Sequence, residues 1–385
     1  MKLFKSLLVA PAALGLLAPM TATANELNLN DVSGYSSSEE VENISEFNAA
    51  DLAVTNSRVD GLEARFNDYE AGSFSSTTSA SFSVDFAIGA ESGNDADGNT
   101  ADGSSEALGT AYGYQIDLST SFTGEDSLNV AIDAGAGAGA LGELDLNSTS
   151  DKLTVDGITY SFPLGDKTTV LIGDSTDGSA LYSTACVYGG FTNTLDDCGN
   201  YSSAFTSATN GTSLSASYDI GNGFTGAIGF SGEGTGNGLA NKESTDYYGG
   251  QIAYSLDNYG ASVTYANLDD KTVWGLNGYY TFDDSSLPSV SVGYEFTENE
   301  GTTADQTQWF AGIQWDEVGA GSLGIAAGTK GPQRDGATEE MAYEAFYAYP
   351  VNDSMTITPA FYLLENSGTS EEDETGVVVK TSFSF

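Results

Sequence analysis

The C-terminal stretch TGVVVKTSFSF, residues 375–385, decides the fold that this sequence predicts. Apolar residues alternate there with small or polar ones up to the last residue, which is typical of a β-strand with one apolar face. An unpaired apolar edge strand promotes aggregation in a soluble protein. The stretch therefore predicts a strand that is paired on both edges, as in a closed barrel, with Phe383 and Phe385 facing outward and Lys380 facing inward.

The same alternation recurs along most of the chain, in sixteen segments that begin near residue 81. The connections between these segments differ in length according to their order. The even-numbered connections are short turns, at 123–126, 164–167, 220–223, 256–258, 283–288, 316–320 and 350–353. The odd-numbered connections include the long ones, at about 91–111, 137–151, 174–211, 231–245 and 364–374.

An even number of period-two strands, with short connections at one rim and long ones at the other, is typical of an outer-membrane barrel. A soluble β-sandwich also contains period-two strands, but it gives no reason for connection lengths to alternate. Many aromatic residues lie near the strand ends, where the interfacial girdles of such barrels occur. We therefore predict an all-β fold for residues 72–385, a 16-stranded antiparallel transmembrane β-barrel.

The N-terminal part of the chain has a different pattern. Residues 1–24 have a charged start, a short apolar core and a small-x-small cleavage site, which predicts a secretory signal peptide. Residues 25–48 are acidic and rich in Ser, and residues 49–71 have the heptad spacing of a coiled coil. This heptad helix either bundles with copies of itself or packs alone against its own domain. Beyond residue 24, the sequence contains no run of about 18 apolar residues that would predict a membrane-spanning helix.

Composition excludes several classes of function. The 385 residues include 11 Lys and Arg, 55 Asp and Glu, and no His. So strong an excess of negative charge repels nucleic acid phosphates, so nucleic acid is not expected as a partner. Without histidine, Ser/His/Asp and Cys/His nucleophilic catalysis are absent. We expect neither an enzymatic activity nor a cofactor.

The two cysteines of the chain, Cys186 and Cys198, lie in the stretch CVYGGFTNTLDDC. Two cysteines separated by a short loop in an oxidising envelope compartment predict a disulfide. A zinc site is the alternative, but two thiolates alone do not complete its tetrahedral coordination.

Strand parity predicts which charged residues face the barrel lumen. The inward-facing acids are Asp85, Asp117, Asp133, Asp219, Glu295 and Glu344, and the inward-facing bases are Lys271, Lys330 and Lys380. The longest connection, residues 174–211, adds Asp174, Asp177, Asp196 and Asp197 and contains no Lys or Arg. This imbalance should raise the concentration of cations in a channel and lower that of anions.

Two loop motifs resemble binding sites. The stretch DADGNTADGSSE, residues 95–106, places Asp95, Asp97, Asn99 and Glu106 at the ligand spacing of a calcium loop. Thr100 occupies the position that requires Gly, and no flanking helices are predicted, so a hydrophilic surface loop is the alternative. The stretch GAGALG, residues 137–142, matches a dinucleotide motif but lacks the helix that must follow it.

Four stretches carry a resemblance to a known family: LLVAPAALGLLAP in the signal peptide, ELNLNDVSGYSS after it, RVDGLEARFNDYEAGSFSSTT, and the terminal Phe. The chain resembles the cyanobacterial outer-membrane porins, which are allied to the carbohydrate-selective porins. The resemblance implies an outer-membrane location among its lipids, a homotrimer, and a long loop, residues 174–211, that folds into the lumen and sets the aperture. It also implies that Phe383 and Phe385 act as the signal for the barrel-assembly machinery.

Members of this family usually carry an S-layer-homology domain before the heptad segment, and that domain binds a peptidoglycan-linked polymer. Too few residues separate NDVSGY from the heptad segment to form this domain. The sequence therefore does not predict that the protein is linked to peptidoglycan. The sequence predicts an outer-membrane porin for passive diffusion of small hydrophilic solutes and ions, with a preference for cations. The alternative is a plugged structural or adhesion barrel whose acidic loops bind cations.

Overall fold

The computed structural model describes residues 77–94, 108–136, 141–196, 198–199, 211–233, 238–240, 245–301, 303–367 and 372–385. They lie in one compact unit, Asn67–Phe385. The predicted signal peptide, acidic N-terminus and heptad helix, residues 1–71, lie outside the described residues. Among the described residues, no helix has the length and apolar character to cross a membrane.

The described chain forms seventeen antiparallel strands. They are β1 Thr78–Asn94, β2 Gly109–Thr120, β3 Ser127–Gly135, β4 Thr154–Pro163, β5 Thr168–Asp174, β6 Thr212–Gly221, β7 Phe224–Gly232, β8 Asp246–Ser255, β9 Tyr259–Leu268, β10 Lys271–Tyr280, β11 Ser289–Asn299, β12 Gln306–Val318, β13 Gly321–Thr329, β14 Gln333–Arg334, β15 Met341–Asn352, β16 Met355–Leu364 and β17 Glu372–Ser384.

Sixteen of these strands form the wall of a closed barrel. Each wall strand pairs with the next in the chain, and β17 pairs back onto β1, from Ser384 opposite Ser83 to Glu372 opposite Asn94. The short strand β14 pairs with the start of β12 above the main ladder, while β13 pairs directly with β15. The prediction of a 16-stranded antiparallel barrel is confirmed, and no sheet edge remains unpaired in the wall.

The two faces of the wall differ in chemistry because side chains alternate along each strand. Large apolar side chains on the outer face are exposed, for example Ile228 at 67% and Ile252 at 60%. Aromatic side chains accompany them, including Trp274 and Tyr280. The inner face is mostly Ser, Thr, Gln, Gly and carboxylates. An apolar exterior around a polar interior is the arrangement of a transmembrane barrel.

The turns at one rim are short. The turn from β6 to β7 consists of Asn222 and Gly223, both with positive φ, 56° and 86°. Such two-residue turns match the right-handed twist of a hairpin and favour Asn-Gly at these two positions. The segments that leave the other rim are longer, and two of them enter the lumen.

An apolar cluster lies inside the barrel rather than between layers. It joins residues of the two entering segments, such as Leu146 and Phe191, to inward-facing side chains of the wall, such as Phe310 and Tyr362. The inside of the barrel is therefore partly a packed core and partly a polar surface.

Candidate channel constriction

The segment that follows β5 runs along the inner wall of the barrel as an extended chain. Its alternate residues donate backbone N–H groups to wall side chains, as a strand would to a neighbour. The four contacts are Ser183 to Gln251 Oε1 at 2.6 Å, Ala185 to Ser262 Oγ at 3.2 Å, Val187 to Ser291 Oγ at 3.0 Å and Gly189 to Gln314 Oε1 at 3.0 Å. The acceptors lie on β8, β9, β11 and β12, so the segment passes along this wall in order.

Glu344, on β15, holds the tip of this segment. Its carboxylate accepts hydrogen bonds from the Tyr188 hydroxyl at 2.7 Å, the Phe191 N–H at 3.1 Å, the Thr192 N–H at 2.9 Å and the Thr192 hydroxyl at 2.6 Å. Glu344 is 2% exposed, and four donors satisfy its charge without a cation. The carboxylate that parity places in the lumen is therefore a structural anchor for the loop.

The Tyr188 hydroxyl stays protonated in this position. Burial, the negative charge of Glu344 and the hydrogen bond to it raise the pKa of Tyr188 well above its usual value. Its ring packs against Phe310, with centroids 5.4 Å apart, and against Phe346. At the loop tip, Tyr188 thus packs its ring against the wall and donates its hydroxyl proton to Glu344.

The disulfide between Cys186 and Cys198 is present, which confirms that prediction. It closes the part of the segment that contains all of the donors to Glu344. The side chain of Asn277, on β10, donates a hydrogen bond to the Cys198 carbonyl at 2.8 Å, so the C-terminal end of the disulfide ring contacts the wall there. A Cβ at Gly293 would lie 1.8 Å from the same carbonyl oxygen, so the wall needs glycine where the ring touches it.

The polar wall beneath the segment is buried by it. Glu295, another acid predicted to face the lumen, is 1% exposed on β11. The other buried polar side chains of this wall are Ser213, Ser231, Gln251, Ser262, Thr264, Asn277, Ser291, Thr297 and Gln308. These residues support the loop and are not accessible to a solute.

The wall formed by the first and last strands carries charged side chains that the loop does not bury completely. Asp85 and Asp117 occupy inward positions of β1 and β2 and are half-buried, and the Gln115 side chain donates to Asp117 at 2.8 Å. Lys380 occupies an inward position of β17, with its ammonium 5.4 Å from the centroid of the Phe191 ring. On this part of the first and last strands the charged inward side chains are therefore only partly buried, whereas Ala87 and Val378 on the same inward face belong to the buried apolar cluster.

The other charged residues that the sequence predicts to face the lumen lie elsewhere on the barrel. Asp133 is buried on β3 and accepts a hydrogen bond from Thr154. Asp219 lies at the short-turn rim, where it accepts the Gly221 N–H at 2.8 Å. Lys271 occupies an inward position at the start of β10. Lys330 forms a 3.6 Å ion pair with Glu374.

The described acids of the long connection do not lie together at one point. Asp174 is exposed at the end of β5, on the outward-facing register opposite Ile158. Asp177 is half-buried near the start of the segment, and Asp196 is exposed within the disulfide ring. Asp197 and the calcium-loop candidate, residues 95–106, lie outside the described residues. Within the described ranges, no three His, Cys, Asp or Glu side chains are arranged to hold a metal ion.

Sequence reasoning missed a second segment that enters the lumen, residues 141–151, between β3 and β4. Leu141, Leu144 and Leu146 are at most 2% exposed inside the barrel. Three closely spaced leucines in a long connection are the signal that could have indicated a buried loop.

With the barrel and its lumenal loops described, similar structures define the class of fold. OprB of Pseudomonas putida aligns over 80% of this chain and 94% of its own, with a TM-score of 0.58 and 13% identity. The anion-selective porin from Comamonas acidovorans aligns over 80% and 100%, with a TM-score of 0.56 and 14% identity. A variant of the Rh. blastica porin aligns over 80% of this chain and 100% of its own, with a TM-score of 0.52 and 15% identity. The chain has the fold of the bacterial outer-membrane porins.

One comparison of sequence gives a particular relative. An uncharacterized protein of Nostoc sp. is 26% identical over 439 residues, which covers 95% of this chain and 74% of the relative. No protein-family model matches the chain.

Proposed function

We propose that this protein is an outer-membrane porin, through which small hydrophilic solutes and ions diffuse passively. The observation that supports it is the combination of a closed barrel, an apolar exterior and a loop that lines one side of the lumen and leaves polar residues exposed on the other. A channel needs a wetted path, and Asp85, Asp117 and Lys380 line one. Assembly as a homotrimer, by the barrel-assembly machinery, belongs to the same proposal.

The channel should favour cations over anions. Of the acids predicted to face the lumen, Asp85 and Asp117 are the half-buried ones beside the passage, whereas Glu295 and Glu344 are buried beneath the loop. Among the described residues, Lys380 is the lysine on this part of the wall, and the three charges together are net negative. Fixed negative charge in a narrow space raises the local cation concentration. The Comamonas porin, which has a similar fold, is named as anion-selective, so the proposed preference rests on the side chains of this chain and not on the fold.

Planar-bilayer recording of the purified protein tests the function. We expect discrete conductance steps and, in a KCl gradient, a reversal potential of the sign set by K⁺ permeation. Asp85→Asn with Asp117→Asn should move that potential toward zero. The matched control is Asp257→Asn with Asp353→Asn, two exposed acids in short turns.

Three outcomes separate the functions. Absence of conductance from correctly folded protein would support the structural or adhesion barrel and overturn the porin proposal. A wild-type preference for Cl⁻ would overturn the cation preference alone. Equal shifts from the lumenal and control pairs would assign selectivity to total surface charge rather than to the passage.

A further inference from the structure

The segment 141–151 enters the barrel from the same rim as the disulfide segment, which is the part of the 174–211 connection that contains Cys186 and Cys198. Leu141, Leu144 and Leu146 are buried in the lumenal apolar cluster, and Leu146 has no exposed surface. Burial of these leucines removes apolar surface from water and so stabilises the docked segment. This energy holds the segment inside the lumen rather than over the rim.

The wall is shaped to receive this segment. A Cβ at Gly135, on β3, would lie 1.8 Å from the Leu146 carbonyl oxygen, and one at Gly113, on β2, would lie 3.0 Å from Leu146 Cα. The Gly135 N–H donates to the Thr149 hydroxyl at 2.9 Å, and the Asn147 side chain donates to the Tyr114 carbonyl at 3.1 Å. Glycines at inward positions of neighbouring strands therefore form a seat for backbone, not for side chains.

The segment also joins the disulfide segment across the lumen. The Asn193 N–H donates to the Glu143 carbonyl at 2.8 Å, and the Thr194 hydroxyl donates to the Glu143 carboxylate at 2.7 Å. Both donors lie inside the ring closed by Cys186 and Cys198. The two segments are thus joined directly by two hydrogen bonds to Glu143.

We propose that the aperture is bounded by two segments, and that residues 141–151 form its second edge and help to set the size of solute that passes. This inference rests on the proposed porin function and names a further specificity-determining element of the same passage. Asp145 lies between two buried leucines and is itself exposed, so its side chain points away from the buried contacts of Leu144 and Leu146. Asp156, on β4, lies within electrostatic range of Asp145, Asp133 and Asp117.

A thiol placed on this edge tests the proposal without disturbing the buried contacts. In Asp145→Cys, reaction with a bulky thiol-specific reagent should lower the single-channel conductance, because the added group would stand in the passage. The matched control is Lys152→Cys, an exposed position in the same connection but beyond the leucine seat. Its complete modification should leave the conductance unchanged.

A second variant tests the seat itself. In Leu141→Ser with Leu144→Ser and Leu146→Ser, the segment should leave the wall, so conductance should rise and larger oligosaccharides should enter proteoliposomes. Leu153→Ser, an exposed leucine of the same connection, is the control. Unchanged current after full modification of Asp145→Cys would overturn the inference even if the leucine variant failed to assemble. Absence of wild-type conductance would instead be a failure of the porin function.

Discussion

Phe82 and Phe385 close the barrel through a reciprocal pair of backbone hydrogen bonds. The Phe82 N–H donates to the Phe385 carbonyl at 2.9 Å, the Phe385 N–H donates to the Phe82 carbonyl at 3.0 Å, and their rings stack with centroids 5.7 Å apart. Deletion of Phe385 would remove both bonds and the stacked ring at the seam. We expect a large loss of folded barrel in heat-modifiability gels.

The control for this prediction is Phe122→Ala, which removes an exposed phenylalanine of similar size from a turn. It should leave the amount of folded barrel nearly unchanged. Undiminished folding after deletion of Phe385 would mean that the seam is held without it, and that Phe383 and Phe385 are not needed as an assembly signal.

Asp126 should stabilise the turn between β2 and β3 in a pH-dependent way. Its Oδ1 accepts from Phe122 N, Thr123 N, Thr123 Oγ1 and Ser121 Oγ within 2.9 Å, and its Oδ2 accepts from the Tyr160 hydroxyl at 2.9 Å. These bonds outweigh the opposing effect of burial and lower the pKa of Asp126 below its usual value. A carboxylate whose pKa is lower in the folded state than in the unfolded state stabilises the protein at pH values above its unfolded-state pKa, about 3.9. This stabilisation is lost as the pH falls from there through the folded-state pKa.

Asp126→Asn should therefore lower the melting temperature most near neutral pH. The difference from wild type should narrow as pH falls below about 3.9. Thermal unfolding in detergent at several pH values measures this, with Glu125→Gln, an exposed neighbour, as the control. A difference that is independent of pH would show that charge at Asp126 plays no part.

Glu344→Gln should release the tip of the disulfide segment but leave the wall intact. The amide keeps one acceptor oxygen and loses the charge, and hydrogen bonds to charged groups contribute about 1.5–3 kcal/mol each, so docking should weaken by on the order of 3 kcal/mol. We expect noisier current and faster hydrogen exchange at Phe191 and Thr192. Glu317→Gln, an exposed acid near the end of β12, should change neither, and unaltered exchange in Glu344→Gln would contradict its role as anchor.

The disulfide should restrict the same region through chain entropy. It closes a ring with a sequence separation of 12 residues, for which loop-closure estimates give about 3 kcal/mol. Cys186→Ser with Cys198→Ser should therefore broaden the distribution of conductance levels, and the mild reduction of wild type should do the same. Reduced and oxidised channels with identical current records would show that wall contacts alone fix the loop.

The barrel was predictable because each strand repeats one local signal. Alternation along segments such as 246–255 and 259–268 determines both the strand and its inward face, and the closing strand ends in the phenylalanines that need a partner. The disulfide was predictable from two cysteines in an oxidising compartment. The signal peptide and the heptad helix remain predictions.

The lumenal contacts were not predictable because they join residues far apart in the chain. Parity places Glu344 inside the barrel, but it does not distinguish an acid beside the water from one that four loop donors surround. The seat for Leu146 depends on two glycines of different strands that become neighbours only through the register of β2 and β3. Periodicity describes one strand at a time and contains no such information.

The anchoring of the loop tip has a consequence for the order of folding. Tyr188 and Glu344 are 156 residues apart in sequence, and the wall strands pair mainly with their immediate neighbours in the chain. Closing so long a loop costs more entropy than forming a hairpin, and contacts of large sequence separation form slowly. Eight wall strands, β6 to β13, lie between this segment and β15, which carries the carboxylate that receives the tip. We therefore expect the wall to form before the loop tip docks, so that the width of the lumen is set late in folding.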